Sequence, residues 1–285
     1  VTLLHRGSHI LNKEDADAAE IVQEVLLREG VQLVLGCTLK RAYKTPEGKT
    51  LVFECNGQEE SVTVDEVLAG AGRAPNVEGL NLEAVGVEYD IRKGVVVNDF
   101  LQTTNPKIYA AGDICMNWKF THAADAAARI VLKNTLFSPF GLRRSKLSDL
   151  VMPWVTFTDP EIAHVGIYEH EAAASGIEIK TIKIDFEDLD RALADGETEG
   201  FAKIHYKPDS DAILGATIVA THAGEMISEI TTAMVGGVGL STIAKKSIHS
   251  YPTQAEAIKK AADAYRRTLL TPRSIAFLGL LTKLS

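Results

Sequence analysis

The stretch VTLLHRGSHILNKEDADAAEIVQEVLLREGVQLVL, residues 1–35, decides the fold class. Val1–His5 is an apolar, β-branched run, Asp15–Glu29 carries apolar residues at helical spacing, and Val31–Leu35 is a second run of the buried type. Gly30 follows the helical segment, where a glycine commonly forms the C-terminal cap. A strand, a helix and a strand in this order predict a βαβ unit, and such units build parallel sheets.

Three short strand-like runs follow this unit and predict an appended β-meander. Two turn signals, Pro46-Glu47-Gly48 and Asn56-Gly57, separate the runs. A further strand is expected at Glu66–Ala69, where the chain returns to the sheet. The runs of the meander are Leu39–Thr45, Thr50–Cys55 and Ser61–Val64.

The next segment reads as strands at Val95–Val97 and Ile108–Ala111, followed by an alanine-rich helix at Thr121–Phe137. The polar and basic stretch Arg143–Asp149 suits a domain linker. From Leu150 onward strands alternate with helices, and this predicts an α+β domain with an antiparallel sheet. The predicted strands are Val151–Phe157, Ile177–Ile184, Gly200–Tyr206 and Ile213–Ala220, and the predicted helices are Tyr168–Ser175, Gly224–Met234 and Gln254–Leu270.

Bulk composition indicates a globular metabolic protein. Of the 285 residues 46% are hydrophobic and 24% charged, and the net charge of -8 argues against affinity for nucleic acid or anionic membranes. The cysteines Cys37, Cys55 and Cys115 have neither C-x-x-C nor zinc-site spacing, so we expect buried thiols in a reducing cytoplasm and no metal site. The apolar tail Ser274–Ser285 reads as packing on its own domain rather than as a membrane-surface helix.

Four local motifs, in this order and spacing, resemble the pyridine nucleotide-disulfide oxidoreductase family, and the resemblance covers essentially the whole chain. It implies a partial Rossmann-like NAD(P)-binding domain at residues 1–72, an FAD-domain segment at 73–145 and a dimerisation domain at 150–285. No G-x-G-x-x-G turn occurs, so we expect that an N-terminal half with this turn and the redox cysteine pair is missing. The motifs are Gly72-Arg73-Ala74-Pro75-Asn76, Ile108-Tyr109-Ala110-Ala111-Gly112-Asp113, Phe157-Thr158-Asp159-Pro160-Glu161 and His249-Ser250-Tyr251-Pro252-Thr253-Gln254-Ala255-Glu256.

The resemblance implies an FAD site around Gly112 and Asp113. Glycine permits a tight turn and close cofactor approach, and Asp113 follows a predicted strand at the edge where open α/β sheets bind ligands. A helix-capping aspartate is the alternative for Asp113. In the family, the segment matching Phe120, Thr121 and His122 starts the helix that lies against the flavin ring. The loop matching Gly72 and Arg73 lies between the flavin and nicotinamide sites.

NADP is favoured over NAD as the second cofactor. An acidic residue at the end of the second strand of a dinucleotide fold binds the ribose 2′-hydroxyl, whereas an arginine suits a 2′-phosphate. The strand Val1–Leu4 is followed by His5 and Arg6, with no acid before Glu14, and Arg6 can bind a phosphate through two hydrogen bonds. A solvated surface arginine is the alternative.

Tyr251 and Glu256 are the candidate catalytic residues implied by the last motif. In the disulfide reductases of the family a histidine stands where Tyr251 stands here, and a glutamate matching Glu256 orients it. A phenol with a reference pKa of about 10 cannot shuttle protons near neutrality as imidazole does. Tyrosine here, with Phe120, resembles the mercuric reductase branch, yet no cysteine pair follows Cys115. His249 reads as a structural histidine.

The sequence therefore predicts the C-terminal portion of a homodimeric FAD- and NAD(P)H-dependent oxidoreductase that reduces a disulfide or metal-thiolate substrate. The alternative is a non-catalytic dimerisation or interaction module. Without the contacts of an N-terminal half, the isolated chain is expected to be dimeric and colourless, because half a cofactor site cannot offset the entropy cost of association.

Overall fold

The computed structural model describes residues 1–271. These residues form two compact units. The first combines Val1–Val67 with the residues from Pro153 onward, and the second is Leu68–Met152.

The predicted βαβ unit is confirmed. Strand β1 (Thr2–His5) is followed by helix α1 (Ala16–Arg28) and strand β2 (Gln32–Leu35), and β1 pairs with β2 in parallel. Gly30 adopts φ +86° directly after the helix, as a glycine cap requires.

The meander is also confirmed. Three antiparallel strands form one sheet in chain order. Asn56 and Gly57 both have positive φ, at 51° and 78°, which is the backbone of a two-residue hairpin turn. The strands are β3 (Cys37–Thr45), β4 (Gly48–Cys55) and β5 (Gln58–Val64). The strand expected at Glu66–Ala69 is wrong, since these residues carry no regular structure.

The expectation of three thiols is wrong for two cysteines. Cys37 begins β3 and Cys55 ends β4, so the register of this hairpin sets them directly opposite each other. Their Cα atoms are 4.5 Å apart and their sulfur atoms form a disulfide. Local spacing rules missed the pair because strand register, rather than short-range spacing, brings the two residues together. Cys115 is the free cysteine of the described chain.

The second unit holds strands β6 (Tyr89–Asp90) and β7 (Gly94–Val95) and helix α2 (Thr121–Leu136), which confirms the predicted alanine-rich helix. The predicted strand at Ile108–Ala111 is wrong, because this segment forms a single bridge, from Tyr109 to Gln102. Buried residues of α2 form a core together with residues outside the helix. The members are Leu101, Met116, Ala123, Ala127, Ile130 and Met152.

The C-terminal part contains the predicted antiparallel sheet. Its five strands run in the order β10-β11-β12-β9-β8, and every neighbouring pair is antiparallel. The strands are β8 (Pro153–Thr156), β9 (Glu161–Gly166), β10 (Lys180–Asp185), β11 (Phe201–Tyr206) and β12 (Ile213–Ala220). The helices are α3 (Glu169–Ala174), α4 (Asp190–Asp195), α5 (Ala223–Val235), α6 (Leu240–Lys246) and α7 (Glu256–Thr268).

Helix α1 packs on this sheet within the first unit. Ala18 and Val22 of the helix share one buried cluster with Ile162, Phe201 and Val219 of the sheet. Burial of each large apolar side chain contributes about 1.5–3 kcal/mol, so the cluster joins the βαβ segment firmly to the C-terminal sheet.

No single helix within residues 1–271 is long and apolar enough to cross a membrane. Helices α5 and α6 reach that length and composition only as a pair, and they meet at an angle of 113°. The tail Ser274–Ser285, for which packing on the domain was predicted, lies outside the described residues.

Candidate functional site

The Gly112–Asp113 turn lies in the second unit and has the backbone that the motif predicts. Gly112 is buried and adopts φ +84°, and a Cβ there would lie 3.1 Å from the Cβ of Ala124 in α2. The positive φ and the tight approach to α2 both favour glycine at this position. The carbonyl oxygen of Gly112 accepts hydrogen bonds from the backbone of Cys115 and Met116, which fixes the turn. Asp113 remains about half exposed.

Arg73 and Asp113 are brought together within this unit. A guanidinium nitrogen of Arg73 lies 3.7 Å from Asp113 Oδ2, and both side chains are largely exposed. Arg73 also donates to the backbone carbonyl of Lys119, while Lys119 Nζ donates to the carbonyl of Arg73 at 2.7 Å. Gly72, the residue before Arg73, has a positive φ of +98°, and no atom lies within 4 Å of the position that a Cβ would take there. The two predicted loops thus form one polar surface with charges of both signs.

Helix α2 begins beside Phe120 and presents an uncapped N-terminus. Phe120 is the residue before the helix, and it provides no side-chain hydrogen bond to the first turn, which also lacks an acidic residue. The rings of Phe120 and His122 stack with centroids 5.3 Å apart, and Thr121 is exposed. The positive end of the helix dipole is therefore available to a negatively charged group.

These features fit a flavin dinucleotide. A buried glycine turn, an exposed carboxylate that can accept hydroxyl hydrogen bonds, and an uncapped helix N-terminus are what such a cofactor needs from this part of its site. Gly72, Arg73, Gly112, Asp113, Phe120, Thr121 and His122 all belong to the second unit.

Arg6 belongs to the first unit and lies in the loop after β1. Its side chain is exposed, and the loop is shaped by a hydrogen bond from the backbone of Gly7 to Nδ1 of His5, at 3.1 Å. The loop leaves the carboxyl end of a parallel strand, which is where dinucleotide folds recognise the ribose.

Tyr251 and Glu256 lie in the first unit, at the loop before α7. Tyr251 is 71% exposed, and its hydroxyl donates to Asp190 Oδ2 at 2.7 Å. Glu256 begins α7, and its Oε2 is buried without a hydrogen-bond partner among residues 1–271. The phenol therefore donates its hydrogen bond to Asp190 and not to Glu256.

Both large segments of the chain match domain families of one kind. Residues 1–128 match the pyridine nucleotide-disulphide oxidoreductase family, and residues 152–262 match the pyridine nucleotide-disulphide oxidoreductase dimerisation domain. The chain belongs to the pyridine nucleotide-disulphide oxidoreductase family.

Relatives within this family include two kinds of enzyme. The chain is 35% identical over 262 residues to a mercuric reductase from Staphylococcus aureus, covering 92% of this chain and 47% of that protein. It is 32% identical over 263 residues to a dihydrolipoyl dehydrogenase from Geobacillus stearothermophilus, covering 92% and 55%. The chain thus spans about half the length of the curated relatives it matches.

Solved structures of family members share the fold. LpdA from Mycobacterium tuberculosis superposes with a TM-score of 0.84 at 27% identity, over 95% of this chain and 56% of that one. The HOCl-induced flavoprotein disulfide reductase RclA from Escherichia coli superposes with a TM-score of 0.81 at 26% identity, over 92% and 59%. The mixed α/β and α+β architecture is therefore that of the flavoprotein disulfide reductases.

Two residues outside the predicted family motifs form hydrogen bonds with the candidate site residues. Lys119 is tied to Arg73 by hydrogen bonds in both directions, and Asp190 accepts the bond from Tyr251. Lys119 could have been suspected from its place just before Phe120. Asp190 carried no signal, because it lies 61 residues from its partner in an acidic surface stretch.

Two other polar groups are placed as structural residues. His249 is nearly buried, and its Nε2 lies 3.0 Å from Glu229 of α5. Burial raises the pKa of the Cys115 thiol to about 11, so it stays protonated and unreactive near neutrality. Within residues 1–271, no cluster of three His, Cys, Asp or Glu side chains could hold a metal ion.

Proposed function

We propose that these residues form the C-terminal portion of an FAD- and NADPH-dependent oxidoreductase that reduces a disulfide or metal-thiolate substrate. The observation that carries the proposal is the buried Gly112 turn with Asp113 and Arg73 beside an uncapped helix N-terminus. Membership of the family and the matched length, about half of each relative, support a longer enzyme. With a disulfide, NADPH and a proton give NADP⁺ and two thiols; with a Hg(II) bis-thiolate, NADPH and a proton give NADP⁺, Hg(0) and two thiols.

Each residue group has a distinct part in this proposal. Gly112, Asp113 and the N-terminus of α2 would hold FAD, and the chemistry the cofactor would supply there is two-electron transfer between NADPH and a cysteine pair outside these residues. Gly112 lets the cofactor approach the backbone, and the carboxylate of Asp113 accepts hydrogen bonds from its hydroxyl groups. The N-terminus of α2 favours negative charge on the reduced ring. Arg6 binds the 2′-phosphate of NADPH, with NAD as the weaker cofactor.

Tyr251 would serve substrate binding rather than proton transfer. The phenol is exposed, and a hydrogen bond to Asp190 raises its pKa above the ordinary tyrosine value, so it stays protonated at neutral pH. We place Tyr251 and Glu256 of one subunit at the substrate site of its partner, across a two-fold interface formed by the dimerisation domain.

The test is NADPH-dependent reduction by the complete flavoprotein that contains these residues. The panel is oxidised lipoamide, oxidised glutathione, Hg(II) as its bis-thiolate complex, and Cu(II) supplied without thiol. Cu(II) is included because RclA has been solved as a Cu(II) complex. We expect turnover with at least one member of the panel. Tyr251→His is expected to raise the rate of disulfide reduction relative to metal reduction, because imidazole titrates near neutrality. No turnover with any member would refute the proposal.

The choice of cofactor has its own test. Arg6→Gln should raise KM for NADPH about tenfold and leave KM for NADH unchanged, because one charged hydrogen-bonding contact to the 2′-phosphate is lost. Arg28→Gln is the matched control, since Arg28 is an exposed arginine of the same unit already paired with Glu199. Equal effects on the two cofactors would contradict the assignment of Arg6.

Flavin absorbance distinguishes the proposed enzyme from the competing class, a non-catalytic dimerisation module. We expect the isolated chain to be dimeric and without flavin absorbance, and the complete protein to carry one FAD per subunit. A complete protein that is colourless after supplementation with FAD would favour the module.

A further inference from the structure

The hydroxyl of Tyr251 is held from within its own subunit. Asp190, the first residue of α4, accepts the phenolic hydrogen at 2.7 Å. The contact joins α4 to the loop between α6 and α7, two segments that are distant in the sequence. A phenol in solvent would otherwise rotate freely about two side-chain torsions, so this bond fixes the direction of the oxygen.

The segments on either side of the contact are tied together as well. Gln254 Nε2 donates to Glu197 Oε2 at 2.9 Å, and Lys260 Nζ donates to the backbone carbonyl of Asp188. These two bonds flank the Tyr251–Asp190 pair, and Gln254 is itself buried. Asp190 is therefore held in place relative to Tyr251.

Glu256, which the family resemblance made the orienting residue, does not take this role. Its buried Oε2 has no hydrogen-bond partner in the described chain, and its influence on Tyr251 is through charge. The hydrogen bond that sets the direction of the phenol belongs to Asp190.

We propose that Asp190 is a positioning residue for Tyr251 and that it makes the phenol oxygen present its lone pairs, rather than its hydrogen, to the substrate. The proposal rests on the proposed function, in which Tyr251 lines the substrate site. Because the only hydroxyl hydrogen is given to Asp190, the oxygen can accept but cannot donate. It therefore suits a substrate that offers a thiol hydrogen or a cation, and disfavours an anionic group.

The charges around the phenol act in the same direction. Among residues 1–271, Asp190 and Glu256 are the charged groups that face Tyr251. Both raise the pKa of its hydroxyl, Asp190 through its hydrogen bond and charge and Glu256 through charge alone. The hydrogen therefore stays on the phenol and stays directed at Asp190 at neutral pH.

The contact is tested on this chain by carbon-13 NMR of the tyrosine ring carbon that bears the hydroxyl, with the Tyr251 signal assigned from Tyr251→Phe. Asp190→Ala should lower the pKa of Tyr251, and Asp190→Glu should restore part of the difference. Asp188→Ala is the matched control, because it removes an exposed carboxylate two residues away. Equal shifts in the two alanine variants, or no shift in either, would overturn the proposal.

The consequence is tested in the complete flavoprotein with oxidised lipoamide and with Hg(II) as probes. Asp190→Ala should lower kcat/KM for Hg(II) about fivefold, as expected for loss of one charged hydrogen bond at an exposed site, and should have no further effect in Tyr251→Phe. Oxidised lipoamide, which offers neither a thiol hydrogen nor a cation, should be affected less. An additive effect in the double variant would overturn the positioning role even where the proposed function holds. If Tyr251→Phe itself turns over normally, the proposed role of Tyr251 fails, and the inference fails with it.

Discussion

Lys203 Nζ lies 2.7 Å from Asp15 Oδ2, and both side chains are more than nine-tenths buried. Asp15 stands immediately before α1, yet its carboxylate makes no capping bond to that helix. It instead accepts from Lys203 and, at 3.2 Å, from the hydroxyl of Thr217. Lys203 makes a second ion pair with Asp17, at 2.8 Å. The βαβ segment is thus fixed to the C-terminal sheet by charge as well as by apolar packing.

Breaking this ion pair is expected to destabilise the first unit strongly. Lys203→Met leaves two carboxylates with no buried cation, and we predict a loss of about 3 kcal/mol in the free energy of unfolding. This loss is measured by urea denaturation monitored by circular dichroism. Lys183→Met is the control, because Lys183 pairs with the same Asp17 at 3.4 Å in a more exposed position, and about 0.5 kcal/mol or less is expected there. Comparable losses in the two variants would contradict the assignment.

Acid should weaken the first unit through His164. This histidine is fully buried between Tyr168 and Thr217, and burial lowers its pKa from 6.5 to about 4. Between those two values the unfolded chain binds a proton that the folded chain does not. The free energy of unfolding should therefore fall as the pH drops below 6.5, by about 1.4 kcal/mol per pH unit within the window and no further below about 4.

The variant His164→Asn isolates this contribution. His205 has a lowered pKa and acts in the same direction, whereas burial raises the pKa of Glu14, whose contribution has the opposite sign. Urea denaturation at several pH values should give a shallower slope for His164→Asn than for the wild type between pH 6.5 and 5. Parallel slopes would show that His164 is not the buried neutral group assumed here.

The disulfide predicts a count of thiols and a change in stability. A denatured but unreduced chain should titrate with one free thiol, that of Cys115, out of the three cysteines. Cys55→Ser should lower the free energy of unfolding by about 3 kcal/mol, because an 18-residue separation in the unfolded chain is no longer closed. Cys115→Ser is the control and should change stability far less. Three reactive thiols in the untreated chain would contradict the bond.

Much of the fold could be predicted because its signals are local. The βαβ unit follows from periodicity between Thr2 and Leu35, and the Asn56-Gly57 turn follows from the only backbone those residues favour in a tight hairpin. Strand β9 was missed because Glu161–Gly166 begins with a glutamate after a proline and carries the buried His164. Helices α4 and α6 were not predicted, and their six and seven residues give little helical periodicity to read. Helix α3 is equally short but was predicted within Tyr168–Ser175.

The remaining features depend on partners that are distant in the sequence. Ile108–Ala111 has the composition of a strand, yet a strand exists only where a neighbour pairs with it, and periodicity does not show the neighbour. Lys203 reads as an ordinary polar position in β11, and its burial is set by Asp15, 188 residues earlier. The Asp190–Tyr251 contact is of the same kind. The order of the motifs, by contrast, identified the family, because four local motifs can be read directly from one sequence and long-range pairwise contacts cannot.

We propose that Asp113 of one subunit and Tyr251 of the other serve the same active site, and subunit complementation tests this proposal most directly. In the complete flavoprotein, Asp113→Ala and Tyr251→Phe are each expected to reduce NADPH-driven turnover severely as homodimers. When the two variants are refolded together, half of the dimers contain one subunit of each variant. Each of these mixed dimers has one site in which both residues are native. We expect the mixture to recover about a quarter of wild-type turnover. Mixtures no more active than the two homodimers would contradict it.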